Sequence, residues 1–253
     1  MNDFPDNEPA QDNEISRNLA AVRERIAAAC ARAGRDVASV ELLPVSKTVD
    51  DARIRLAYAA GCRIFGENKV QEAVGKAERL ADLNARWSVI GRLQTNKAKY
   101  VARMAHEFQA LGSVKLAEEL QRRLEIEDRV LDVYVQVNSS GEESKYGLEP
   151  GDVPAFAREM VAFERLRVKG LMTLAVFSSD AARVRDCFKV MRDLRERLRQ
   201  DGPQGISFDG LSMGMSGDFE IAIEEGSTLV RVGQAIFGTR ALPDSYYWPG
   251  VGA

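Results

Sequence analysis

The sequence predicts a single (β/α)8 (TIM) barrel preceded by one extra helix. Three observations carry this. Short apolar runs of strand length alternate with helix-period stripes, giving about eight strands over about 200 residues. No Gly-rich G-x-G-x-x-G turn follows the first strand, which disfavours the open doubly wound sheet, the competing fold. No break in composition marks a second domain or a linker.

Residues 1–14 are acidic and hold no apolar run, so they are expected as a disordered tail and not as a signal peptide. Ile15, Leu19, Val22, Ile26 and Cys30 recur at spacings of three and four, one stripe of a helix that Gly34 stops. The apolar run 40–47, ending on Lys47, is the first strand. Thr48-Val49-Asp50-Asp51 carries short polar side chains suited to capping the next helix, which runs through Ile54, Leu56 and Ala60. Residues 62–68 are the second strand, followed by a helix through Val70, Ala73, Ala77 and Leu80. Residues 87–91 are the third strand, and Gln94 to Lys97 open a helix. Residues 107–111 are the fourth strand, and Ser113 caps the helix through Leu116 and Leu120. Residues 130–138 are the fifth strand, rich in β-branched residues. Helix 150–163, strand 166–174 and a helix through Val184, Phe188, Met191 and Leu198 follow, the last broken at Asp201-Gly202-Pro203. Strand 208–213, a short helix at 218–225 and strand 228–232 complete the barrel, here taken as residues 15–240. Residues 241–253 form a tail.

The chain of 253 residues is 45% hydrophobic and 29% charged, an ordinary globular composition. A net charge of -3 argues against general attraction to nucleic acid or anionic membrane. Cys30, Cys62 and Cys187 are odd in number and far apart, which suggests neither a disulfide framework nor a zinc cluster and points to a reducing compartment. His106 is the single histidine, so no multi-histidine metal site is possible. No segment approaches the roughly 20 apolar residues of a membrane span, and a cytoplasmic protein is expected.

Active sites of such barrels lie at the carboxyl ends of the strands. There the sequence puts Lys47; Glu67 and Asn68; Arg92, Gln94 and Asn96; Asn138; Met172 and Thr173; Met213 to Gly217; and Arg231 to Gln234. No carboxylate cluster suited to a divalent metal is among them. Lys47 ends an apolar strand, where low-dielectric walls favour the neutral, nucleophilic amine; a lysine that merely ends a strand in solvent is the competing reading. Ser216-Gly217 and Gly233-Gln234 each follow a strand and precede a short helix, after strands seven and eight, where barrels commonly bind phosphate; ordinary turn glycines are the competing reading. An amine facing a phosphate cradle suits an aldehyde that carries a phosphate, and pyridoxal 5′-phosphate (PLP) is one such ligand. Arg231 shares a strand face with Gly233 and is a candidate donor to the pyridine nitrogen; a salt bridge to Glu224 or Glu225 is the competing reading.

Six segments then carry a family resemblance: Pro44-Val45-Ser46-Lys47, Phe65-Gly66-Glu67-Asn68, Gly91 to Lys97, Gly170-Leu171-Met172-Thr173, Leu211 to Ser216, and Val230 to Gly233. In this order they resemble the YggS/PROSC pyridoxal-phosphate homeostasis proteins, from Ile15 to Arg240. The resemblance implies a barrel of the alanine racemase N-terminal type. It implies PLP held as a Schiff base on Lys47, phosphate contacts at Ser216, Gly217, Gly233 and Gln234, and Arg231 on the pyridine nitrogen. Asn68 and Met215 match positions lining the ring. It implies a carrier or regulator of PLP within the cell, with no firmly assigned turnover and with PLP-dependent apo-enzymes as possible acceptors. A monomer is expected. Two departures stand out: the stretch 175–179 lacks an expected proline, and the acidic N-terminal extension is extra.

Two enzyme readings compete. One is a PLP-dependent amino-acid racemase, whose second base would have to come from a residue such as Tyr146 or Tyr246. The other is a Schiff-base aldolase using Lys169. Lys145 is a further candidate for transient cofactor capture, against the plainer reading of a solvated loop lysine.

Overall fold

The computed structural model describes residues 13–142 and 145–238. The expectations for residues 1–12 and 239–253, Tyr246 among them, lie outside the described residues. Eight parallel strands form one sheet: β1 (Glu41–Pro44), β2 (Ile64–Glu67), β3 (Arg86–Val89), β4 (Glu107–Leu111), β5 (Leu131–Gln136), β6 (Leu166–Met172), β7 (Gly210–Ser212) and β8 (Leu229–Val232). The α-helices are α1 (Glu14–Arg32), α2 (Asp51–Ala59), α3 (Val70–Arg79), α4 (Ala98–Met104), α5 (Val114–Ile126), α6 (Val153–Met160), α7 (Ala181–Asp201), α8 (Phe219–Glu224) and α9 (Gln234–Phe237). The strand order β1-β8-β7-β6-β5-β4-β3-β2 closes on itself through the Val45–Gly66 bridge and the Ser46 N–H, which donates to the Gly66 carbonyl at 3.0 Å. This is the (β/α)8 barrel with its additional N-terminal helix.

Helix α1 begins at Glu14, inside the segment expected as tail. Asn13 caps it: its side chain accepts from the Ser16 N–H while the Ser16 hydroxyl accepts from the Asn13 N–H. The predicted stripe is the buried one, packed with Phe219, Ile223, Ile236 and Phe237. Asn18 donates to the Ile236 carbonyl, and Arg25 and Arg32 pair with Glu220 and Glu224. The extra helix therefore braces α8 and α9, the two short helices that follow the Ser216 and Gly233 turns.

The strands are shorter than the apolar runs suggest. β1 ends at Pro44, so Lys47 lies three residues beyond the strand, in a turn closed by the Val49 N–H donating to the Ser46 carbonyl at 2.9 Å. Asp50 is the cap of α2, accepting from the Arg53 N–H, and Ser113 caps α5 through the Leu116 N–H. Helix α6 starts only at Val153, with proline in its first turn.

Inside the barrel, Leu43, Ile64 and Leu229 form a small apolar cluster. Elsewhere the interior is polar: Ser212 on β7 donates to Gln109 on β4, two strands that are not neighbours in the sheet, so this bond crosses the lumen. β6 and β7 approach so closely that a Cβ on Gly170 would lie 1.9 Å from the Gly210 carbonyl oxygen.

Candidate functional site

Lys47 is 7% exposed, and its backbone is gripped on both sides. Thr48 adopts φ 63, the left-handed region a β-branched residue rarely enters. With Val49 donating to Ser46, this gives the pattern of a type II turn, whose third residue needs positive φ. The Thr48 N–H donates to Glu72 Oε1 at 2.6 Å. The Ser46 carbonyl accepts from Lys76 Nζ at 2.6 Å, and the Ser46 hydroxyl donates to Glu67 Oε1 at 2.6 Å. Lys76 also binds Glu67 Oε1 at 2.8 Å and Glu72 Oε1 at 2.7 Å, and it is itself 2% exposed.

Glu67 is fully buried, and among the described residues its Oε2 has no hydrogen-bond partner. Burial pushes its carboxyl up to about 7, with Lys76 pulling the other way. The sequence put Glu67 on the rim with Asn68. The structure instead turns it into the base of the Lys47 turn, because β2 is a parallel strand buried along its whole length.

The other strand exits converge on the same end of the barrel. β1 and β8 pair so that Leu43 faces Arg231 and Pro44 faces Val232. A Cβ added to Gly233 would lie 3.0 Å from the Val45 carbonyl oxygen, so this turn abuts the chain leading to Lys47. The Ala235 N–H reaches the Ser216 hydroxyl at 3.4 Å and links the two glycine turns. Among the described residues the amides of Ser216, Gly217, Gly233 and Gln234 donate no hydrogen bond, and a Cβ on Gly217 would meet nothing within 4 Å. Such a pair of turns offers unspent donors over open space, the chemistry of an anion cradle. Met215 sits in the first turn, where its N–H donates to Asp218 Oδ1. The Asp218 carboxyl is raised by burial, against the pull of its own hydrogen bond with Met215 and of Arg231.

Arg231 is 3% exposed. It does not pair with Glu224 or Glu225, which are taken by Arg32, Arg185 and Arg192 from the outer layer. The side chain points inward instead: one terminal nitrogen donates to the Ser212 hydroxyl at 2.6 Å, the other to the Thr173 carbonyl at 2.7 Å. Ser212 passes on to Gln109 Oε1 at 2.6 Å, and Gln109 to Glu107 Oε1 at 2.6 Å, which also accepts from Ser88 at 2.7 Å. Burial lowers Arg231 to about 10, opposed by Asp218 and Glu107, so it stays a cation at neutral pH. Glu107 is raised by burial, against its bonds from Gln109 and Ser88.

Asn68 borders a cleft of about 770 Å³ that Arg92, Gln94, Lys97 and Tyr146 also line, with the Arg92 guanidinium 4.6 Å above the Tyr146 ring. A Cβ on Gly91 would lie 2.1 Å from the Asn68 carbonyl oxygen, so only glycine admits this approach. Lys145 is engaged elsewhere, donating to the Ala175 carbonyl at 2.7 Å and pairing with Glu142 at 2.7 Å. Lys169 is exposed on β6, three residues before the strand ends, and so is not at the strand exits where the other candidates gather. Sequence reasoning alone singles out neither Lys76 nor Glu72, the two charges of α3 that hold the Lys47 turn. The available signal is a lysine at the buried spacing of Val70 and Ala73 on that helix.

The sequence matches the family described as alanine racemase, N-terminal domain, over residues 17–241. It is 42% identical over 222 residues to the pyridoxal phosphate homeostasis protein of Aquifex aeolicus, covering 88% of this chain and 96% of that one. The chain belongs to the pyridoxal phosphate homeostasis protein family. Relatives in this family are named for homeostasis and not for a reaction. The structure is similar to that of PipY from Synechococcus elongatus, solved with PLP bound, at TM-score 0.79 and 35% identity over 88% of this chain and all of that one. The alanine racemase of Corynebacterium glutamicum is similar at TM-score 0.66 but 14% identity, covering 90% of this chain and 62% of that one, which is a likeness of fold. Among the described residues no helix is long and apolar enough to cross a membrane.

Proposed function

We propose that this chain binds pyridoxal 5′-phosphate as a Schiff base on Lys47 and takes part in PLP homeostasis as a carrier, with residues 15–240 as the binding unit. The observation that supports this is the contiguity of three features: the buried Lys47 turn, the two turns with unspent amides at Ser216-Gly217 and Gly233-Gln234, and the buried Arg231 cation. These residues fit the cofactor. Ser216, Gly217, Gly233 and Gln234 supply donors for a phosphate. Asn68 and Met215, just beyond the ends of β2 and β7, serve as ring-lining residues. PLP, when bound, would supply an aldehyde, and Lys47 would be the amine that holds it.

Arg231 stays a cation near neutrality, so toward a pyridine nitrogen it would donate a hydrogen bond without giving up its proton. A ring left unprotonated in this way would be a weaker electron sink, which favours holding the cofactor over carbanion chemistry. We place the acceptors among PLP-dependent apo-enzymes and the chain, as a monomer, in the cytoplasm. The free, buried Cys30, Cys62 and Cys187 support a reducing compartment.

The test is an absorbance spectrum of the purified protein with and without borohydride. A visible band that Lys47→Ala abolishes, with the reduced label mapped to Lys47, supports the proposal. A colourless wild type that takes up no added PLP overturns it. Racemisation of an amino acid at ordinary enzyme rates by the loaded protein replaces the carrier reading with the racemase one.

A further inference from the structure

The turn that carries Lys47 is held in an unfavourable shape by groups that have no other evident task. Thr48 sits at φ 63 without the freedom of glycine or the local hydrogen bonding of asparagine. A conformation of this kind persists only where its surroundings over-determine it. Here they do: Glu72 accepts the Thr48 N–H, Lys76 donates to the Ser46 carbonyl, and Glu67 accepts the Ser46 hydroxyl. Lys76 ties the two carboxylates together, and both it and Glu67 are buried. Burying these two charges and leaving Glu67 Oε2 without a partner among the described residues weakens the fold. An apolar contact between α3 and β2 would serve stability better.

From this we infer that Glu67, Lys76 and Glu72 are positioning residues for Lys47: Lys76 and Glu72 clamp the backbone on either side of it, Glu67 holds Lys76 in place, and together they fix the direction in which the Lys47 side chain leaves the turn. The inference rests on Lys47 being the cofactor lysine, but the clamp itself is a property of this chain alone. Its elements come from β2 and α3, so the shape of the Lys47 turn is set by the neighbouring β/α unit and not by its own strand.

The test uses the full-length protein and two readouts. The first is amide hydrogen exchange at Thr48 and Val49 without PLP. The second is the rate at which the visible band appears when PLP is added, with its circular dichroism. In Lys76→Met, exchange at Thr48 should rise about a hundredfold while the strands keep their protection. Band formation should slow about tenfold, with the label still on Lys47 and the dichroism altered. Lys76→Arg should recover part of the rate. Because Lys76→Met takes from Glu67 its buried cation and risks unfolding, Glu72→Ala is the milder variant; it removes the acceptor of the Thr48 N–H and one of the two carboxylates that hold Lys76, leaves the Lys76 bonds to Glu67 and the Ser46 carbonyl in place, and should slow band formation about threefold. Thr48→Asn, which tolerates the left-handed region, should restore most of that rate in the Glu72→Ala background. Wild-type exchange and band kinetics in Glu72→Ala would overturn the inference, as would protection lost evenly across the barrel. A wild type that forms no Schiff base overturns the cofactor reading instead, and the exchange data still decide the clamp.

Discussion

Two buried polar networks lie at the working end of this barrel, and they hold their charges in different ways. Under Lys47, two carboxyl groups and the amine of Lys76 meet directly and bind one turn, Glu72 and Lys76 through its main chain and Glu67 through the Ser46 hydroxyl. Under Arg231, the cation and the buried Glu107 never touch; a hydroxyl and an amide relay between them across the lumen. The first network fixes a backbone. The second fixes a side chain and sets the field around it. Direct ion pairing is costly to bury but stiff. A relay of neutral groups spreads the cost and satisfies each member in turn.

The largest effect should come from breaking the relay at its charged end. Arg231→Leu leaves the Ser212 hydroxyl and the Thr173 carbonyl without their buried donor, and Glu107 without its distant cation. Loss of about 3–5 kcal/mol of stability is expected, with PLP affinity falling alongside. Arg231→Lys should recover little, because one ammonium cannot reproduce a fork that reaches two acceptors. Urea melts and PLP titrations check this. A stable Arg231→Leu that binds PLP normally would mean the relay is passive.

The clamp should declare itself through pH. Glu67 ionises near 4.5 when unperturbed and at about 7 in the fold. Between those values the folded state binds the extra proton, so this group's contribution is fully present below about 4.5 and is lost as pH rises through about 7. Glu67→Gln removes that dependence. Relative to the variant, the wild type should therefore lose about 1–3 kcal/mol between pH ~4.5 and ~8. Denaturant melts at both ends measure it. A wild-type advantage that grows with pH would reverse the sign and show that Lys76 holds Glu67 ionised throughout.

The two networks also differ in how far the sequence exposes them. Lys47, Ser216, Gly217, Gly233 and Gln234 are legible because strand exits and glycine turns have local signatures. Arg231 is legible as a rim residue, but its inward partners come from strands distant in sequence. Ser88, Glu107, Gln109 and Ser212 are polar residues at inward-facing strand positions, a pattern that single-strand alternation cannot distinguish from solvent exposure. The Thr48 turn is illegible for a different reason: local preference opposes it, and only tertiary contacts impose it. Lys76 reads as an ordinary helix charge paired with Glu72 one turn away, because its other partners lie on β2 and in the turn after β1.

A hydroxyl in each network offers a matched pair of smaller tests. Ser212→Ala cuts the relay in the middle, leaving Arg231 and Gln109 each short of a partner, and should cost about 1–2 kcal/mol. It should also shift the visible band, since the Arg231 guanidinium loses one of its two anchors. Ser46→Ala removes the hydroxyl bond to Glu67 but not the Lys76 bond to the Ser46 carbonyl. The band and its rate should then stay near wild type. A Ser46→Ala effect as large as that of Ser212→Ala would move the clamp's weight from the backbone to the side chain.

The smallest effect is expected at Lys145, which belongs to neither network. Its amine already donates to the Ala175 carbonyl and pairs with the exposed Glu142. An amine committed to these two acceptors is not presented to an aldehyde. Lys145→Ala should cost roughly 0.5–1 kcal/mol through the lost bond to the Ala175 carbonyl. It should leave the borohydride label on Lys47 unchanged in amount and position. Peptide mapping at rising PLP loading checks this: label on Lys145 at any loading would show that the amine exchanges its carbonyl partner for the aldehyde, and the loop would then join the cofactor site.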